Sequence, residues 1–332
     1  MVILAGISDR NSRRDYLLPK KSTHNRGQQP LLPLGSKFKG RYLIKGIIGA
    51  GGYGEIYYAH DVENQQQVAL KVETKMRRDK LSKRTILEQM VLLRMQGRPH
   101  TPKLVSSGTA GDFNYIALEV LSANLSDLRH YAPEKKLSLS TVSRIAMQAI
   151  GALRDIHNIG FVHRDVKPPN ICFSIQPNKR HILKLLDFGL VRRFLNDDGA
   201  LRPHRQNAGF RGTFRFVSVR VHEKKEQSPA DDLISLLYTT MELLMGYLPW
   251  KFIRSSRQAK HAKMEMAQLG FATVSSAIGP EFTKYGVMVS ELKPFEPFDY
   301  GVLQNILRGA AQGRSLTDPY DWDDVYVKQV NE

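Results

Sequence analysis

One stretch restricts the chain more than any other. His163-Arg164-Asp165-Val166-Lys167-Pro168-Pro169-Asn170 is followed, past a short apolar strand, by Asp187-Phe188-Gly189. Any fold must bring two acids, an amide and a lysine from two loops to one place. That set suits moving the γ-phosphoryl group of ATP onto a hydroxyl. Asp165 can accept or orient the hydroxyl proton, and Lys167 can neutralise charge on the group in flight. Asn170 and Asp187 offer the hard oxygen ligands that Mg²⁺ takes.

The preceding sequence supplies matching parts in order. Tyr42 to Ile48 is strand-like and runs into Gly49-Ala50-Gly51-Gly52-Tyr53-Gly54, after which Glu55 to Ala59 is again β-rich. Glycines let backbone N–H groups approach phosphates with no Cβ in the way. Strand, glycines, strand is a flap, whereas a dinucleotide fold opens a helix with its glycines. Ile56 and Ala69, on the strands that follow, are candidates for the nucleotide pocket. Lys71 in Val68-Ala69-Leu70-Lys71-Val72 is the candidate for the α- and β-phosphates. A helix is predicted over Ser82 to Gln96, with Ile86, Leu87, Met90, Leu93 and Met95 as its apolar stripe and Glu88 as the partner of Lys71. Strands are predicted over Lys103–Thr109 and Phe113–Val120. Glu119 and Leu121 then offer main-chain groups to adenine, with Leu118 guarding the back. A long helix from Ser140, read as its cap, to Ile159 ends at Gly160 and delivers the chain to Asp165. Another spans Ala230 to Met245, where Asp232 is expected to bond back to the catalytic loop. Taken singly, Lys71 is a solvated strand lysine and Glu88 an exposed helix acid. The ordered set favours the paired, phosphate-binding readings over these.

Bulk properties narrow the rest. Lys and Arg number 49 against 32 Asp and Glu, a net charge of +17, which attracts acidic or phosphorylated partners. The charge alone admits nucleic acid, but there is no run of aromatics for stacking bases. No apolar run approaches the ~18–20 residues of a membrane span, and the start lacks the basic region of a signal peptide. The single cysteine, Cys172, rules out an internal disulfide and is read as a buried structural thiol in an intracellular protein of the cytoplasm, with the nucleus also open. Residues 1–37 read as a basic irregular extension, 38–326 as one catalytic domain and 327–332 as a short tail, with no long regulatory tail expected.

The His-Arg-Asp…Asn and Asp-Phe-Gly pair resembles the protein-kinase signature. The resemblance implies an α+β, two-lobed fold. A small β-rich lobe with one main helix (38–119) joins through a hinge (119–122) to a larger helical lobe (123–326). Lys167 two residues past Asp165 resembles Ser/Thr rather than Tyr kinases. So does Thr213 in Gly212-Thr213-Phe214-Arg215, since a Thr there commonly bonds to the catalytic Asp and Lys. The usual Ala-Pro-Glu is replaced by Ser218-Val219-Arg220-Val221-His222, which resembles the casein kinase I superfamily. Asn207 to Thr213, Glu223 to Gln227, Asp231-Asp232-Leu233, Gly246-Tyr247-Leu248-Pro249-Trp250 and Phe298-Asp299-Tyr300 resemble its tau-tubulin kinase branch. This implies a monomeric kinase using ATP and Mg²⁺ on acidic or pre-phosphorylated proteins, active without phosphorylation of its activation segment. A substrate-anion site is implied at Arg215, Gly246 and Arg254. Arg220, Phe214, Phe216 and Val217 depart from the family pattern where substrate docks. The rival expectation is a pseudokinase scaffold, which loss of Lys71, Asp165 or Asp187 would have favoured; all three are present.

Overall fold

The computed structural model describes residues 29–51, 54–77, 80–81 and 84–323. Residues 1–28 of the expected extension, the 327–332 tail and Gly52 lie outside these. In chain order the strands of the small lobe are β1 (Lys37–Phe38), β2 (Tyr42–Gly51), β3 (Gly54–Asp61) and β4 (Gln66–Thr74), followed by the short pair β5 (Met76–Arg77) and β6 (Lys80–Leu81). Helix α1 (Arg84–Met95) and strands β7 (Leu104–Ala110) and β8 (Phe113–Glu119) complete it. Six strands form one antiparallel sheet in the order β1-β2-β3-β4-β8-β7.

Period-2 alternation decides what this sheet shows to each side. On β3 and β4, Tyr57, Ala59, Val68, Leu70 and Val72 are buried in a core shared with Leu32, Tyr42 and Ile44. Their neighbours Ile56, Ala69 and Lys71 are left on the opposite face. The chain is already packed before β1: Leu31 N–H donates to Glu55 Oε2 and Leu32 N–H to Tyr57 Oη, both at 2.8 Å.

Helix α1 forms where expected but faces differently. Its buried residues are Thr85, Glu88, Val91, Leu92 and Met95, while Ile86 is 49% and Leu93 56% exposed. The expected stripe therefore holds at Leu87, Met90 and Met95, which pack in or against the core, and is corrected at Ile86 and Leu93, which face outward. Two polar residues turn inward because the sheet offers them partners: Thr85 donates to Glu73 at 2.5 Å and Glu88 meets Lys71.

The larger lobe begins with α2 (Leu125–Leu128) and α3 (Leu139–Asn158). The cap of α3 is Ser138, which accepts from Thr141 N–H; Ser140, the expected cap, lies within the helix and donates to Ala311 O at 2.9 Å. The loops and short strands β9 (Phe161–Val162), β10 (Ile171–Phe173), β11 (Leu183–Leu185) and β12 (Arg192–Arg193) follow, and then α4 (Val219–His222). Helix α5 (Pro229–Met245) opens with a capping box between Ser228 and Asp231 and closes on Gly246, whose φ of 82° suits a residue without Cβ. Helices α6 (Ser256–Gln268), α7 (Ser275–Glu291) and α8 (Tyr300–Ala310) close the lobe. Leu153, Leu236, Met241, Phe282 and Leu307 lie in its continuous core. The fold is thus α+β, a sheet lobe on a helical lobe.

Candidate active site

A cleft of about 380 Å³ is lined by Gly49, Gly51, Gly54, Ile56, Ala69 and Lys71 of the sheet, by Glu88 of α1, by Leu118 to Ser122, and by Asn170, Cys172 and Asp187. Gly49, Gly51 and Gly54 belong to the β2–β3 hairpin, where Gly49 pairs Ile56 and Gly51 pairs Gly54. Gly54 admits no side chain: its φ is 155° and a Cβ would lie 2.3 Å from Val72 O.

Lys71 joins the two lobes. Its Nζ is 2.6 Å from Glu88 Oε2 and 3.2 Å from Asp187 Oδ1. Burial would lower the ammonium, but the two acids hold it above its ordinary value. Burial likewise works to raise Asp187, and Lys71 and Arg84 overcome it, holding the carboxyl at about 2. Arg84, whose Nη2 is 3.9 Å from Asp187, is a site residue the sequence did not signal. Among the described residues the side-chain hydrogen bonds of Asp187 fall on Oδ1, so Oδ2 is left as a hard oxygen donor. Asn170 directs its amide N–H to Asp165 O at 2.9 Å, which frees its own oxygen for the same use. Two such oxygens fit a cation like Mg²⁺, which keeps several waters and completes its shell from phosphates. Consistent with that sparse set, no cluster of three or more His, Cys, Asp or Glu side chains able to hold a metal occurs among the described residues.

Asp165, Lys167 and Thr213 form a second cluster. Lys167 Nζ is 2.7 Å from Asp165 Oδ2 and 2.9 Å from Thr213 Oγ1, and Thr213 donates to Asp165 Oδ1 at 2.7 Å. The loop is fixed from behind by Asp232 on α5. Its carboxylate accepts His163 N–H at 2.6 Å and Arg164 N–H at 2.8 Å, with His157 Nε2 at 2.9 Å. Arg164 takes a left-handed φ of 71° there.

At the hinge, Glu119 N–H is bonded to Lys103 O at 3.0 Å and so is not open to a ligand. Leu121 N–H has no backbone acceptor among the described residues. Cys172 is buried, as expected, with its thiol pushed up to about 12 by burial, and it also lines the cleft.

The activation segment concentrates bases on few acids. Glu226 is ion-paired with Arg192, whose Nε is 2.7 Å away, and accepts from Arg205 Nε and Nη2 at 2.8 and 2.9 Å. Burial opposes ionisation of Glu226, yet the two arginines hold it at about 2. Of the expected anion set, Arg215 gives Nη1 to Glu242 at 2.8 Å, Gly246 O accepts from Arg129 at 2.7 Å, and Arg254 is exposed.

A protein kinase domain model matches residues 42–290. A Caenorhabditis elegans protein named as a casein kinase I is 45% identical over 302 residues, covering 90% of this chain and 87% of that protein. The chain is a casein kinase I-like protein kinase. A Dictyostelium discoideum protein named as a serine/threonine-protein kinase is 34% identical over 87% of the chain and 58% of its own length. The C. elegans serine/threonine-protein kinase spe-6 is 30% identical over 83% of the chain and 73% of its own length. The protein is a serine/threonine kinase, and as such uses ATP with a divalent metal and acts on proteins. No helix among the described residues is long and apolar enough to cross a membrane.

Proposed function

We propose that this kinase transfers the γ-phosphoryl group of Mg-ATP to Ser or Thr in acidic or pre-phosphorylated proteins, in the manner of a tau-tubulin kinase, acting as an intracellular monomer. The observation that carries the catalytic part is the joining of Lys71, Glu88 and Asp187 across the lobes, beside the Asp165–Lys167–Thr213 cluster. Lys71 holds the nucleotide phosphates and Glu88 holds Lys71. Asp165 orients the acceptor hydroxyl and takes its proton. Lys167 lies 2.7 Å from that carboxylate, placed to offset charge on the transferring group. Asn170 and Asp187 would hold Mg²⁺, which supplies positive charge at the phosphates. Ile56, Ala69 and Leu121 N–H receive adenine, and glycines 49, 51 and 54 cover the phosphates.

The substrate class rests on charge. The net charge is +17. Arg215 spends one nitrogen on Glu242 and its others have no hydrogen-bond partner among the described residues. Arg254 is exposed. A charge-assisted bond to a phosphate is worth ~1.5–3 kcal/mol before screening, enough for roughly tenfold selectivity.

The test is transfer from labelled Mg-ATP to an acidic Ser peptide with and without a phosphoserine three residues before the acceptor, with Asp187→Asn alongside. Transfer that vanishes in the variant and rises with the phosphoserine supports both parts. Transfer indifferent to priming removes the role of Arg215, Gly246 and Arg254. ATP binding without transfer returns the scaffold reading.

A further inference from the structure

The turn after Thr213 is held from beneath by two side chains that take no part in the site described above. Phe216 and Val217 N–H both bond to Thr213 O, at 2.8 and 3.1 Å, so residues 213–217 move as one piece. Three carbonyls of that piece are occupied. Lys263 Nζ, on α6, donates to Phe214 O at 3.1 Å and Val217 O at 2.7 Å, and Trp250 Nε1 donates to Arg215 O at 2.7 Å.

Lys263 is 1% exposed and the one buried lysine among the described residues, and no carboxylate there pairs with it. Its Nζ lies 5.2 Å from the Trp250 ring centre, 5.3 Å from Tyr238 and 6.0 Å from Phe214, faces that favour a cation. His222 Nε2, 3.1 Å away, is the third acceptor. Burial pushes that imidazole down to about 4, with Lys263 and Lys260 adding to the effect, so it is neutral and able to accept. Burial pushes Lys263 down as well, to about 7; in its ammonium form it has three hydrogens, and here each has an acceptor. A burial this costly to a charge would be needless for packing alone, since methionine would fill the same aromatic box. What the ammonium adds is a fixed position for two carbonyls on the turn whose first residue touches Asp165.

We propose that Lys263, with Trp250 beside it, is a positioning residue for the peptide-docking turn Thr213–Val217, setting the affinity for the protein substrate without touching the nucleotide site. The proposal rests on reading that turn as the surface along which the acceptor peptide lies.

The experiment measures steady-state kinetics on a Ser peptide chosen from an array for wild-type turnover. Intrinsic ATP hydrolysis without peptide and the thermal midpoint are measured in parallel. Lys263→Met is expected to raise the peptide KM by about tenfold, the scale of a lost charge-assisted bond. ATP KM and intrinsic hydrolysis should stay within about twofold of wild type, since Lys263 contributes no hydrogen bond there. Trp250→Phe keeps an aromatic wall but removes one neutral donor, and should raise peptide KM by about threefold to fivefold. An unchanged peptide KM, or ATP KM rising and hydrolysis falling in step with its increase, overturns the proposal. If Lys263→Met gives no folded protein, Trp250→Phe decides by the same criteria. Wild-type turnover of the array tests the kinase reading; only the ratio of peptide to ATP effects in the variants tests Lys263.

Discussion

On the nucleotide side of the cleft one partly exposed base joins two acids: Lys71 lies between Glu88 and Asp187, with Arg84 farther off at 3.9 Å from Asp187. On the peptide side the proportion is reversed. Glu226 serves Arg192 and Arg205, and Glu242 serves Arg215 at 2.8 Å with Arg129 at 3.7 Å. Arg164 feels that surplus: burial, then Arg192 and Arg205, push its guanidinium down to about 10. An acid-rich cluster is completed by a cation and a base-rich one by an anion. On the proposed function, the contrast puts the metal on one side of the cleft and the acidic protein on the other.

The strongest way to test the contrast is on the acid-rich side. Asp187→Asn should lower kcat by at least ~10²–10³-fold, the usual cost of losing one electrostatic stabiliser, with the thermal midpoint showing that the fold survives. Retention of a tenth of wild-type kcat would break the assignment. Next, Lys71→Met and Glu88→Gln should each cut kcat by about tenfold or more, and the double variant should cost little beyond the worse single one, because the residues act as a pair. Full additivity would mean that Glu88 serves something other than Lys71.

On the base-rich side the expected effects are smaller and differ in kind. Glu226 is held at about 2 against an ordinary 4.5. A depressed carboxyl contributes stability that is complete above pH 4.5 and lost as pH falls toward 2. Glu226→Gln should therefore be less stable by about 2–3 kcal/mol at pH 7, and the gap to wild type should close between pH 4.5 and 2 in urea unfolding. A gap independent of pH would show that the arginines do not need the charge. Smallest of all, Arg254→Ala should raise the KM for a phosphoserine peptide by about twofold, since an exposed charge is largely screened. An effect larger than that of Arg215→Ala would move the anion site outward.

The same contrast separates what was legible in the sequence from what was not. Asp165, Lys167 and Asn170 fall within six residues, and Asp187 follows on the next loop. Local spacing of that kind survives without knowledge of packing. Glu88 was readable because one helix acid sits at the right remove from Lys71. The face of α1 was not. Ile86 and Leu93 are as apolar as Val91 and Leu92, and only the partners waiting on the sheet, Glu73 and Lys71, decide which set turns inward. Ser138 and Ser140 are equally good caps by type, and the choice falls to a carbonyl 171 residues away. Lys263 gave no signal either, since its acceptors lie 41 to 49 residues upstream and its burial comes from rings on other elements. The peptide side is built from such distant pairs, so composition indicates its charge but not its geometry.

Asp232 grips the catalytic loop through two main-chain N–H groups, those of His163 and Arg164. Every residue type except proline carries such a group. Side-chain substitutions at 163 and 164 therefore leave both donors intact, and the attachment can be broken by mutation chiefly at the acceptor. The two loop positions are free to drift chemically as far as this bond is concerned, while the entire evolutionary constraint of the attachment is concentrated on one carboxylate in α5, 67 residues beyond Asp165.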